Sequence, residues 1–474
     1  MKRILLILFC LILLVGCSSN QQSAKPKNGV ITMPYEKPVD FKHFEVFISL
    51  TPNFKPTGWD GSKWISQPNS PSEWNGINKT LFMITTNDPI QVTGLTPGKT
   101  YYVQVVVVDT SNQRSIPSPE ISAIAGDAQR AIALVIAAHN ASPAARVGAD
   151  YICDGIDDQA TFNEAINTFL TANPGATLTI MGTDGEYIIT DSIVLKSNVI
   201  LDIPGTIKVA SGTSKSFEAI YADDEGGSLI NVSIKNVTLI GNKNNVTGII
   251  DGIHIQEGKF IYIDNVKISN FNANALSLLR CDTVVVSGLS RMTGSEVGIF
   301  VNESNNVKVS SCTVNDNETA GLRARGSTNI DVFEITAYGN GEGVSIYECN
   351  DSAVKNSRLH LNGQEGIRIE MSNKVTAMGN EVYNNSQLAN AIYSNVKIEG
   401  SDNCVLQSNR ISRGEQTNKP SYGIYIDNES SGNTVANNIC YQSGILGGIK
   451  DFGINTNFGP GNQNNNGTWS TTPN

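Results

Sequence analysis

The chain has 474 residues, room for one to three domains, and its 40% hydrophobic and 16% charged composition is that of a globular protein rather than a disordered one. A formal net charge of -10 argues against a nucleic-acid partner, which selects for clustered Lys and Arg, and leaves carbohydrates open.

Lys2 and Arg3 precede an apolar run from Ile4 to Leu14, too short to span a bilayer but suited to a signal-peptide core. The run ends in LVGC at 14–17, which resembles the bacterial lipobox. The resemblance implies a signal peptide over residues 1–16, cleavage before Cys17 and lipidation of its sulfur. The expected location is the cell envelope, lipid-anchored and facing periplasm or exterior, with the membrane engaged through the lipid. Residues 17–29 are polar and aperiodic and read as a tether. Apart from Cys10 and Cys17 there are six cysteines, none in a C-x-x-C pair, so neither a zinc nor a redox motif is expected.

FKHFEVFIS at 41–49 alternates apolar and polar residues like a sheet strand. In GLTPGKTYYVQVVVVDTSNQRSIPS at 94–118, Leu95, a Pro97-Gly98 turn and Tyr101 precede alternating Val103, Val105 and Val107. This segment resembles the second half of a fibronectin type III sandwich, with Tyr101 at its tyrosine corner. The resemblance implies such a module over residues 30–125. Trp59, Trp64 and Trp74 lie between its halves, either covering a small core or exposed for stacking on sugar rings; the core role is the simpler.

ADYICDGIDDQATFNEAINTFL at 149–170 predicts a helix capped by Asp157 or Asp158, with Phe162, Ala165, Ile166, Phe169 and Leu170 on one face. It reads as a lid over the open end of a solenoid, and its acidic residues as helix caps rather than a metal cluster.

From residue 252 one strand recurs: GIHIQEG, ALSLLRC, GIFVNES, GLRARGS, GVSIYEC, GIRIEMS, NVKIEGS and GIYIDNE. The copies begin at 252, 275, 298, 321, 343, 366, 395 and 423, and the second and fourth residue of every copy is apolar. Coils of about 23 residues with one face permanently inside stack into a solenoid. The small seventh residues mark a bend, which makes Cys281 and Cys349 packing residues. With the helix and EYIITDSIVLKSNVILDIPG at 186–205, the segment resembles the entry of the pectate lyase-like superfamily. The resemblance implies an all-β fold, a right-handed parallel β-helix over residues 127–474, and a group containing polysaccharide lyases, glycosidases, epimerases and tailspikes. No Gly-His-Gly motif or full pectate-lyase motif is present, so no catalytic residue transfers.

Equivalent residues of stacked coils form columns about 4.8 Å apart. The outward third-residue column reads His254, Ser277, Phe300, Arg323, Ser345, Arg368, Lys397, Tyr425, and the fifth reads Gln256, Leu279, Asn302, Arg325, Tyr347, Glu370, Glu399, Asp427. Arg323, Arg325, Tyr347 and Tyr425 are candidate substrate-binding residues. Arg368, Lys397, Glu370 and Glu399 are candidate catalytic ones. The stacked carboxylates Glu370, Glu399 and Asp427 repel. A salt-bridge lattice, a calcium ion or a shared proton would each offset this. Two insertions, at 383–394 and 412–422, fall beside this patch and are expected to wall it. The expected partner is a polysaccharide. A lyase would use Arg368 or Lys397 as base with calcium on the carboxylates, and a glycosidase would use two carboxylates. The competing class is a non-enzymatic adhesin or structural rod whose charges keep the solenoid soluble.

Overall fold

The computed structural model describes residues 31–33, 41–64, 81–86, 90–92, 100–118, 120–124, 132–223, 229–467 and 469–470. Cys17, Trp74 and the Leu95–Gly98 turn lie outside them. The chain divides into two compact units, Met1–Arg130 and Ala131–Asn474. Among the described residues no helix is long and apolar enough to cross a membrane.

In the first unit, Leu81–Thr85, Phe41–Ser49, Thr100–Asp109 and Ile121–Ile124 form a four-stranded antiparallel sheet, and Ile31–Met33 pairs antiparallel with Ile90–Val92. Alternation puts Phe44, Val46 and Ile48 against Tyr101, Val103, Val105, Ile90 and Val92 in one core. Phe47 and Val106 face the other way, onto Phe54. Trp64 covers this second cluster, its ring 6.0 Å from Phe47 and its indole N–H donating to Ser115 O at 2.8 Å. Trp59 packs on Trp64 at 5.4 Å. Both rings are half-buried and serve packing.

The second unit is a parallel β-helix. Each coil contributes short strands to three parallel sheets of eleven, fourteen and ten strands. The first sheet runs from Ile193–Leu195 to Gly447–Asp451 and holds the recurring strand. All sixteen inward residues of the eight copies are buried, from Ile253 to Ile426. At about 25 cal/mol per Å2 of apolar surface, this continuous stack is the main source of stability.

The corners explain the rest of the repeat. Leaving the first sheet, the chain bends at one left-handed residue: Glu257, Arg280, Glu303, Gly326, Glu348, Met371 and Gly400 all have φ between 47° and 57°. Most side chains dislike this region, and the next residue holds it in place. Ser304, Ser327, Ser372, Ser401 and Ser430 each accept a backbone N–H from the coil before through Oγ, at 2.9–3.1 Å. Cys281 and Cys349 sit buried in this column, as packing residues. At another corner Asn317, Asn340, Asn362, Asn385 and Asn395 form a buried ladder, each Nδ2 donating to the next Oδ1 at 2.9–3.1 Å.

The helix Asp158–Ala172 buries Phe162, Ala165, Ile166 and Phe169 against the first coils. Asp157 is its N-cap by position but makes no side-chain cap bond. The Asp158 carboxylate instead accepts the N–H groups of Gly155 at 2.8 Å and Ile188 at 2.6 Å, tying the helix to the sheet.

Candidate functional site

The third-residue column holds from His254 to Tyr425 and the fifth from Gln256 to Glu399. His254, Ser277, Phe300, Arg323, Ser345, Arg368, Lys397 and Tyr425 are registered neighbours along the first sheet, as are Gln256 through Glu399 in the fifth-residue column. Between them lies an open cavity of about 480 Å3, lined by Asn274, Glu296, Val297, Phe300, Arg323, Arg325, Glu342, Ser345, Tyr347, Arg368 and Glu370.

An ion network floors it. Glu342 is 3% exposed and accepts from Arg323 Nη2 at 3.0 Å and Arg368 Nη1 at 3.0 Å. Arg368 Nη2 also reaches Glu370 at 2.9 Å and Glu399 at 3.1 Å, and Lys397 Nζ reaches Glu399 at 2.8 Å. Burial alone would lower the Arg368 pKa, but hydrogen bonding and charge from Glu342, with Glu370 and Glu399, hold it above the usual value. A guanidinium so held is a clamp, not a proton acceptor, so it is a poor lyase base. Burial tends to raise Glu399, yet Lys397 and Arg368 pull it below the ordinary carboxylate value. Burial raises Glu370, partly offset by Arg368. Arg368 contacts both Glu370 and Glu399, so the salt-bridge lattice offsets the repulsion between them.

Of the residues expected from the sequence, Arg323, Arg325, Tyr347, Arg368 and Glu370 line the cavity; Lys397 and Glu399 join through Arg368. Arg325 lies over the Tyr347 ring at 5.5 Å. Tyr425 is further along, packed on Tyr422 and Phe452 at 5.9 and 6.0 Å. Asp427 leaves the column: the strand ends at Ile426, and its carboxylate accepts the Gly400 N–H at 3.1 Å and the Ser430 hydroxyl at 2.6 Å. Glu370, Glu399 and Asp427 do not converge as metal ligands among the described residues. The insertions pack on each other, Asn418 Nδ2 donating to Gln387 O at 2.7 Å, and neither lines the cavity.

Two important residues escaped the sequence reading. Glu342 and Glu365 immediately precede the copies starting at 343 and 366, and the Gly343 N–H donates to Glu365 O at 3.0 Å. Glu365 is 4% exposed. Burial lifts its carboxyl to about 7, opposed by its own backbone N–H, Lys397 and Arg368. The available signal was an acid immediately before each of two consecutive copies.

A family model described as "Right handed beta helix region" matches residues 170–334 and 251–395, and one described as "Periplasmic copper-binding protein (NosD)" matches residues 324–467. No curated relative matches the chain. Among solved structures, the A-modules of the mannuronan C-5 epimerases AlgE6 and AlgE4 of Azotobacter vinelandii are similar. They are 19% and 17% identical, with TM-scores of 0.53 and 0.51, over 65% and 68% of this chain and 96% of each module. At that identity the likeness is one of fold, and it agrees with the sheets described above: the second unit is a right-handed parallel β-helix.

Proposed function

We propose that this is a cell-envelope protein, lipid-anchored at Cys17 and carrying a fibronectin type III-like module over residues 30–125, that binds a polysaccharide along the first sheet of its β-helix. The carrying observation is the cavity lining: three arginines, three glutamates and the rings of Phe300 and Tyr347. Its charges balance, so it presents donors and acceptors without a strong field of either sign. Sugar hydroxyls both donate and accept, and ring faces stack on aromatic side chains. A neutral polymer fits this lining better than a polyanion. The test is affinity electrophoresis through gels containing neutral or uronic-acid polysaccharides. Retardation by a neutral polymer, lost in Tyr347→Ala with Arg325→Ala, supports the reading. Equal mobility in every gel favours the structural-rod alternative.

A second reading, cleavage of the bound polymer, is favoured by Glu365, outside the cavity lining, whose carboxyl burial raises to about 7 and so leaves partly protonated near neutral pH. A general acid needs that state, and Glu370 on the cavity wall supplies a second carboxylate. New reducing ends from a retained polymer, abolished by Glu365→Gln, would establish it; binding without product would leave a binding protein.

A further inference from the structure

The first sheet carries a second cluster of chemistry-bearing side chains, upstream of the ion network. Glu218 on Phe217–Ala222 is registered with Asp251 on Ile250–Gln256, and Tyr221 with His254, so two carboxylates are stacked at strand spacing with an imidazole beside them. Among the described residues no lysine or arginine forms an ion pair with Glu218 or Asp251 in the way Arg368 serves Glu342 and Glu370. One ligand atom each from Glu218, Asp251 and His254 lies within 4.8 Å of the other two, the one such convergence among the described residues. His254 Nδ1 lies 3.9 Å from Asp251 Oδ2. That nitrogen is buried and has no hydrogen-bond partner among the described residues, which leaves it open to a ligand. The neighbours fix the donors in place. Asp251 Oδ1 accepts the Asn274 N–H at 2.6 Å, leaving Oδ2 toward the histidine. The imidazole packs on Tyr221 at 5.9 Å, whose hydroxyl donates to Asp223 at 2.9 Å.

We propose that Glu218, Asp251 and His254 bind a divalent cation of the class that accepts imidazole and carboxylate together, with Zn2+ as its representative. Zn2+ holds N and O ligands at about 2.0–2.2 Å, which puts tetrahedral ligand atoms about 3.4 Å apart. The three donors therefore close by about 1.4 Å at most, within reach of side-chain rotation. Three protein ligands leave a fourth position open to water or a hydroxyl. Asn274, which donates to Asp251, also lines the large cavity, so the ion would sit at its upstream end. The site lies outside the 324–467 stretch matched by the copper-binding family and does not depend on the polysaccharide reading.

The test uses the full chain stripped with chelator and titrated calorimetrically with ZnCl2. One equivalent is expected to bind with a micromolar or tighter Kd, raising Tm. Asp251→Asn keeps the acceptor for Asn274 and Glu218→Gln keeps shape; each is expected to weaken binding at least tenfold with the metal-free Tm unchanged. His360→Ala, which removes a histidine stacked between Tyr338 and Tyr383, is expected to leave it unaltered. Absence of saturable binding, or affinity equal to wild type in Asp251→Asn and Glu218→Gln, overturns the proposal.

Discussion

Replacing Glu365 with Gln isolates the buried acid on which the cleavage reading rests. A glutamate raised from 4.5 to about 7 in the folded chain binds a proton there that the unfolded chain has already lost. As pH rises through 4.5 the unfolded state ionises first, so stability falls until the folded group also ionises near 7, and then levels. At about 1.4 kcal/mol per pH unit this amounts to about 3 kcal/mol, or roughly 4 °C in Tm for a unit of this length. Glu365 is almost fully buried, so solvent screening takes little from that figure. Glu365→Gln keeps the shape and removes the titration. The assay is thermal unfolding of wild type and variant between pH 4.5 and 8. Wild type is expected to lose about 4 °C relative to Glu365→Gln across that range. Curves that stay parallel would refute the assignment of a neutral buried carboxyl.

Arg368→Ala removes the cation shared by Glu342, Glu370 and Glu399 and leaves Glu342 buried on Arg323 alone. Partial exposure of the arginine trims the cost of breaking a buried pair to about 2–3 kcal/mol, read as a fall in denaturation midpoint. Asn362→Ala strands the groups its amide serves, Asn340 N–H and Nδ2, Ala337 O and Asn385 Oδ1. The expected loss is about 2–3 kcal/mol, and Asn362→Asp should not restore it. Cys281, Cys312 and Cys349 are buried, and burial pushes their thiols up to about 11, 12 and 11. They are expected to resist a thiol reagent at pH 8 until denaturant is added; rapid native labelling would contradict their packing role. Cys17→Ser is expected to move the protein from the membrane to the soluble fraction on cell fractionation.

The solenoid was legible because burial imposed one rule on every coil. Ile367 and Ile369 face the core whatever else the coil does, so period-two alternation and the coil length together predicted the register of Arg368 with Lys397. The site was less legible where alternation breaks. Glu342 and Glu365 enter the strand from a corner, where strict alternation no longer says which way a side chain points. Asp427 continues the pattern on paper, yet the strand ends one residue earlier and the turn takes its carboxylate. Glu218 lies in a strand before the recognisable copies, so nothing in the repeat could register it with Asp251. Arg368 was visible as an outward residue, but its role as a clamp depends on Glu342 from the coil above.

The central claim, that a polysaccharide lies in the cavity of the first sheet, is tested most directly by hydroxyl-radical footprinting with a panel of polysaccharides. The account predicts that a retained neutral polymer protects Tyr347 and Phe300 from oxidation while Tyr262, exposed on the second sheet, is unchanged. Protection confined to other surfaces, or none with any polymer in the panel, would contradict it.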